Sequence, residues 1–300
     1  MSCRPAVTCK EIPNNKNNQF MKKTLLILML AGIAISMSAQ ISGDLSSQRV
    51  LLPNGWHLTP AGKVIQLGDL PLNIVVSRNG KLAAITNNGQ STQMIHLVDI
   101  RKGIVTDSVI IGKSWLGLAF SDNGKELYAS GGNDNWIIKY RIRRKELINT
   151  DTIMIGKPWP ERISIAGIAL DDKRKVIYAV TKENNMLYAV DLMTKSIISQ
   201  TPLGGEGYTC ILSPDRQTLY ASCWGCDKVV IFDTFSQKIR GTINVGDNPN
   251  DMCITSDGSR LFVANANDNN VSVIDIRAGR VVETLNSALY PGSPSGSTTN

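Results

Sequence analysis

An internal repeat constrains this chain more than any other feature. Residues 213–234, SPDRQTLYASCWGCDKVVIFDT, superpose without a gap on residues 255–276, TSDGSRLFVANANDNNVSVIDI, at an offset of 42 residues. Residues 121–142, SDNGKELYASGGNDNWIIKYRI, align with both. Ser77-Arg78-Asn79-Gly80 opens another copy, and Asp171-Asp172-Lys173-Arg174 a degenerate one. The copies start at 77, 121, 171, 213 and 255. A chain built this way makes one small unit per copy, and neighbouring units must stack to bury a core.

Each copy holds four short runs rich in Val, Ile, Leu and Tyr, bounded by turn residues. In the fourth copy these are 207–213, 218–223, 228–233 and 238–245. The first hairpin of a copy turns at Asn79-Gly80, Asn123-Gly124 or Asp257-Gly258, where glycine accepts the positive φ of such turns. Nothing from 50 to 290 repeats apolar residues every 3.6 positions, so helices should be nearly absent. The expected fold is all-β: a β-propeller of four-stranded antiparallel blades, with inner strands near 73–77, 117–121, 165–170, 207–213 and 251–255.

Residues 50–67 read as the two outer strands of a further blade, the last near 63–67, and residues 297–300 stand where another inner strand would begin. This gives about five complete blades plus partial ones, in a ring that does not close. A seven-bladed ring would need about 65 more residues at ~42 per blade. Residues 40–300 are therefore expected to be a truncated part of such a ring.

Upstream of the repeats lies one long apolar run, 25–35, preceded by Met21-Lys22-Lys23 and followed by Ser36-Met37-Ser38-Ala39. A basic start, a short apolar core and small residues at the end are the layout of a secretory signal peptide. The run is short for a membrane span. Cleavage is expected after Ala39, or after Ser38, placing the protein in the periplasm or outside the cell. Residues 1–20 are polar and read as an upstream mis-start with Met21 the true start; the competing reading is a polar extension ahead of an uncleaved anchor. The net charge is +7. Beyond Ala39 an excess of only three positive charges is left, scattered along the sequence. Nucleic acid, which needs a concentrated basic face, is not expected as a partner.

The strings Leu261-Phe262-Val263-Ala264-Asn265, Val271-Ser272-Val273-Ile274-Asp275 and Val281-Val282-Glu283-Thr284-Leu285 resemble the YVTN β-propeller repeat, also called YncE-like. So does 242–249, TINVGDNP. The resemblance runs from about 60 to 290. It departs at Arg141, which replaces the Asp seen at 99, 191, 233 and 275, and in the third copy, which lacks the Ser-x-Asp-Gly turn. The opening 51–62 and the loop Gly131-Gly132-Asn133-Asp134-Asn135 also resemble exported proteins in which such a propeller precedes a phosphoesterase domain of the alkaline phosphatase superfamily. That resemblance implies an alternative role, the propeller portion of a phosphoesterase whose catalytic domain lies outside this chain.

Catalytic chemistry has few candidates. His57 and His96 have no obvious partners for a zinc site or a Ser-His-Asp triad. The Gly204–Gly207 string joins strand to strand and leads into no helix that could cradle phosphate. Cys223-Trp224-Gly225-Cys226 is a CxxC in an expected strand-to-strand loop. It could be a loop disulfide or two unpaired thiols, and less readily a metal or redox site, which would need Cys210 and Cys253 or a helix N-terminus. Asp134 and Asp268 lack the spacing of a calcium loop. No metal and no cofactor is expected.

The tryptophans say more. In a four-stranded blade the second-to-third strand loop and the link to the next blade emerge at one end. Trp136 and Trp224 fall in the first kind of loop, and Trp115 and Trp159 in the second. Asn88, Asp134, Arg162 and Asp268 share those loops. Aromatic rings with a few polar groups in a concavity suit a small molecule or a peptide, while rings packed between blades would be plain core. The function expected is an exported scaffold that binds a small ligand or protein through Asn88, Trp115, Asp134, Trp136, Trp159, Arg162 and Trp224.

Overall fold

The computed structural model describes residues 50–51, 55, 57–58 and 62–287. The expected mis-start and signal segment lie outside them. The described part divides into two units, one ending at Val64 and one running from Ile65. In the first unit, Val50–Leu51 pairs antiparallel with His57–Leu58.

The second unit is the expected all-β propeller: five blades, each a four-stranded antiparallel sheet whose strands follow in chain order. The blades span 71–110, 118–154, 165–202, 207–244 and 249–286. Their inner strands are Pro71–Val76, Leu118–Phe120, Ile165–Asp171, Gly207–Leu212 and Pro249–Ile254, within two residues of the expected positions. The one helical element among the described residues is a three-residue 3-10 turn, Trp224–Cys226.

The cores lie between blades. Tyr178, Val180 and Leu187 of blade 3 pack on Leu219, Val230 and Phe232 of blade 4, with Tyr178 edge-on to Phe232 at 6.1 Å. Equivalent apolar layers join blades 1 and 2, 2 and 3, and 4 and 5. Burying each such side chain stabilises by about 1.5–3 kcal/mol, so the stacking makes the propeller rather than any single sheet. Near the axis the inner strands approach closely. A Cβ on Gly117 would fall 2.5 Å from the Ala166 carbonyl oxygen, and one on Gly167 2.5 Å from the Thr209 Cα.

Two sets of connections define two ends. At the hairpin end, a Ser or Thr and an Asn or Asp two residues later recur in the first turn. Ser77 Oγ donates to Asn79 Oδ1, which also accepts from Lys81 N, and Ser121–Asn123, Ser213–Asp215 and Thr255–Asp257 repeat the bond. The side chains thus supply turn hydrogen bonds that the backbone cannot make alone. Between blades the same end is tied by Arg216, whose guanidinium reaches both oxygens of Asp122 at 2.7 and 2.8 Å and Asp171 at 3.2 Å. The other end, the loop end, carries the second-to-third loops and the links between blades.

Residues 63–68 form no strand, contrary to the outer strand expected there. Ile65 and Leu67 pack instead under Ala83, Ile85 and Val98 of blade 1. The alternation of apolar residues marked a half-buried segment without fixing a strand partner. The face of blade 1 turned away from blade 2 leaves Ile74 and Val76 more than half exposed.

Candidate functional site

The loop end holds a cleft of about 320 Å³ between the first three blades, lined by Trp115, Gln93, Lys113, Asn133, Ser164 and Lys182 among others. Each wall has a sequence reason. The link 111–117 carries Lys113 and Trp115. Its Lys113 takes a positive φ, and Ser114 is buried. Asn88 fixes that link by donating from Nδ2 to the Ser114 carbonyl at 2.8 Å and to its Oγ at 3.0 Å. Lys113 reaches across to Asp134 at 3.0 Å.

The opposite wall is organised by Asn135, which is fully buried and holds φ at 58°. Asn is one of the few side chains that tolerate that backbone region. Its Nδ2 donates to the carbonyls of Lys157 and Glu161, both at 2.7 Å, and its Oδ1 accepts from Ser164 N at 2.9 Å. One side chain thereby ties down the long link 155–164, which accounts for the wide spacing between the second and third repeats. Ser164 Oγ then donates to Asn133 Oδ1 at 2.5 Å, closing the rim.

Lys182 lies over the cleft's aromatic wall, its ammonium 5.0 Å from the Trp115 ring centroid. Trp115 Nε1 and Gln93 Oε1 are buried and have no hydrogen-bond partner among the described residues. Leaving such atoms unpaired costs about 1–3 kcal/mol each. The cleft therefore offers an aromatic ring with a cation over it and the Glu183 carboxylate beside Lys182 in the lining. Among the described residues no group of three or more His, Cys, Asp or Glu could hold a metal ion.

The expected site residues all lie at this end, yet the structure does not gather them. Trp115 lines the cleft, and Asn88 and Asp134 support its walls. Trp136 packs into the layer between blades 1 and 2. A Cβ on Gly131 would fall 2.1 Å from its ring, so glycine makes room for the indole there. Trp159 is 56% exposed with the Arg162 guanidinium 5.2 Å from its centroid. Trp224 stacks on Tyr208 at 5.2 Å. Lys182, Gln93 and Ser164 were not singled out from sequence. Their place in connections that open at the same end was the signal that could have found them.

The CxxC cysteines are not bonded to each other. Cys223 is buried between blades 3 and 4, and burial pushes its thiol up to about 12. Cys226 donates to the Gly204 carbonyl, with Sγ 2.8 Å away. Both thiols are unpaired here, and Cys226 packs against the same inter-blade layer that holds Cys223.

A model of the YNCE-like β-propeller family matches residues 47–298. Antigen Lp49 of Leptospira interrogans serogroup Icterohaemorrhagiae serovar copenhageni (strain Fiocruz L1-130) is 26% identical over 199 residues, 59% of this chain and 40% of that protein. The chain thus spans well under half of that relative's length. Kuenenia stuttgartiensis hydrazine synthase superposes with a TM-score of 0.59 at 22% identity, covering 70% of this chain and 64% of that one. At that identity the likeness speaks for the fold alone.

Proposed function

This chain belongs to the YNCE-like β-propeller family, and from that premise we propose that it is a binding scaffold taking a small polar molecule or a peptide segment in the Trp115 cleft. The observation that carries the reading is the Lys182 ammonium over the Trp115 ring, both in the lining of one cleft. A volume of about 320 Å³ is in the range of small-ligand sites. The basic start and apolar core of residues 21–35 support export of this scaffold to the periplasm or the exterior.

The experiment is a screen of small carboxylates, saccharides and short peptides, read by protection of Lys182 from amine-directed acylation and mapped by mass spectrometry. A bound ligand should protect Lys182 and leave exposed lysines such as Lys173 reactive. Ligands that bind without slowing Lys182 labelling would place binding elsewhere. Fractionation of the producing cell tests export separately.

A further inference from the structure

Charge that is scattered along the sequence is sorted in space by the fold. The first-to-second and third-to-fourth strand turns all emerge at the hairpin end. They are 77–81, 100–103, 121–125, 144–145, 172–175, 192–196, 213–217, 234–237, 255–259 and 276–279. These ten turns carry thirteen Lys and Arg against four Asp and Glu. The loops between strands at the opposite end, from 88–93 to 266–269, carry four basic residues against seven acidic ones. Strand-end carboxylates such as Asp99, Asp191 and Asp275 lower the hairpin-end excess without removing it. Their oxygens accept backbone N–H groups of their own turns, and Asp99 also pairs with Lys145. Arg174, Lys175, Lys195 and Arg216 are likewise paired, with Asp171, Asp172, Asp151 and Asp122, so the excess rests on the other basic residues of these turns.

The same end also exposes apolar side chains. Met193 is 75% exposed, Phe235 67% and Ile100 41%, each in a third-to-fourth strand turn of a different blade. Arg174 lies 4.1 Å from the Phe235 ring centroid, so one face of that ring is covered by a cation while much of it is open to solvent. Basic residues interleaved with solvated apolar tips are the chemistry of a surface that sits at a lipid headgroup layer. Single-stranded nucleic acid would call for several stacking aromatics, and Phe235 is the one aromatic residue in these ten turns.

We propose that the hairpin end is a peripheral docking face for an anionic phospholipid bilayer. Lys and Arg of the turns attract the acidic leaflet, Ile100, Met193 and Phe235 enter the headgroup boundary, and the Trp115 cleft at the far end faces solution. The attraction is screened by salt, because it acts between exposed charges.

The test is co-sedimentation of the full chain with phosphatidylcholine vesicles, with and without phosphatidylglycerol. Binding should require phosphatidylglycerol and fall as salt rises. Replacing Lys81, Lys125, Arg144 and Lys173 together with Glu should weaken it by at least about a hundredfold, since each basic residue near an acidic leaflet adds roughly fivefold. Met193→Ser with Phe235→Ser should weaken binding while keeping its salt dependence, and serves as the second variant if the charge reversals impair folding. Lys157→Glu with Arg162→Glu, at the loop end, should bind like the parent. The same measurements on a chain lacking residues 21–39 remove the lipid affinity of the apolar run 25–35. Equal binding to neutral vesicles, no binding to either kind, or undiminished binding of both hairpin-end variants would overturn the proposal. Tight binding to soluble heparin that vesicles do not compete would overturn it in favour of a polymeric polyanion.

Discussion

The ammonium of Lys182 lies 5.0 Å from the centroid of the Trp115 ring, joining blade 3 to the link between blades 1 and 2. Such a pair at a partly exposed site stabilises by about 0.5–1 kcal/mol. Lys182→Met keeps most of the stem and removes the charge. It should lower the unfolding free energy by about that amount in urea titration, and by almost nothing in a Trp115→Ala background. An equal loss in both backgrounds would mean that the contact contributes nothing.

Asn135 should matter far more to stability. Asn135→Ala deletes bonds to Lys157, Glu161 and Ser164 and places a less tolerant residue at φ 58°. The expected cost is about 2–4 kcal/mol, read by urea or thermal unfolding. Asn135→Asp should be at least as damaging, because a carboxylate would face two carbonyl oxygens where an amide now donates. Faster hydrogen exchange confined to 155–164 would accompany both changes.

Asp257 gives the chain an acid-sensitive turn. Hydrogen bonds from Thr255 Oγ1, Ser259 N and Ser259 Oγ hold its carboxyl down at about 2, against an ordinary value of 3.8. A folded-state pKa below the unfolded one stabilises the fold above about pH 4, and that contribution is lost as the pH falls toward 2. Asp257→Asn should therefore flatten the acid limb of a stability-against-pH curve in this window and leave it unchanged in shape near neutrality. An NMR titration placing the Asp257 carboxyl at its ordinary value would contradict this.

Thiol reactivity should divide along burial. Desolvation pushes both Cys210 and Cys223 up to about 12, whereas Cys253 is exposed and Cys226 partly so. At pH 8, N-ethylmaleimide should label Cys226 and Cys253 promptly and reach Cys210 and Cys223 only on unfolding, as followed by peptide mapping. Rapid labelling of Cys223 would contradict its placement in the core, and a block of both CxxC residues that a reductant relieves would show them joined as a disulfide.

The blades could be read in the sequence because a repeat of fixed period states its own architecture. Ser77, Ser121, Ser213 and Thr255 sit at matching positions and make matching turns. The cleft could not be read, because its parts come from different blades. Lys182 and Trp115 meet only through the rotation from one blade to the next. Trp136 shows the converse: it shares the loop end with the other tryptophans, but the glycine at 131 lets its indole turn into the inter-blade layer. The segment 63–67 carried the alternation of a strand, yet Ile65 and Leu67 needed only a core to pack on. The charge asymmetry between the two ends was likewise hidden, since successive turns at one end are separated in sequence by whole strands.

The most direct test of the account is the affinity of a screened ligand for the parent chain, Trp115→Ala and Trp224→Ala, measured by isothermal titration calorimetry. Trp115→Ala should reduce affinity at least about tenfold with little change in melting temperature, as expected for a ring that contacts a guest in a cleft. Trp224→Ala, which unstacks Tyr208 outside the cleft, should leave affinity unchanged. Equal affinities for the parent and Trp115→Ala, or a loss confined to Trp224→Ala, would contradict the assignment of the Trp115 cleft as the binding site.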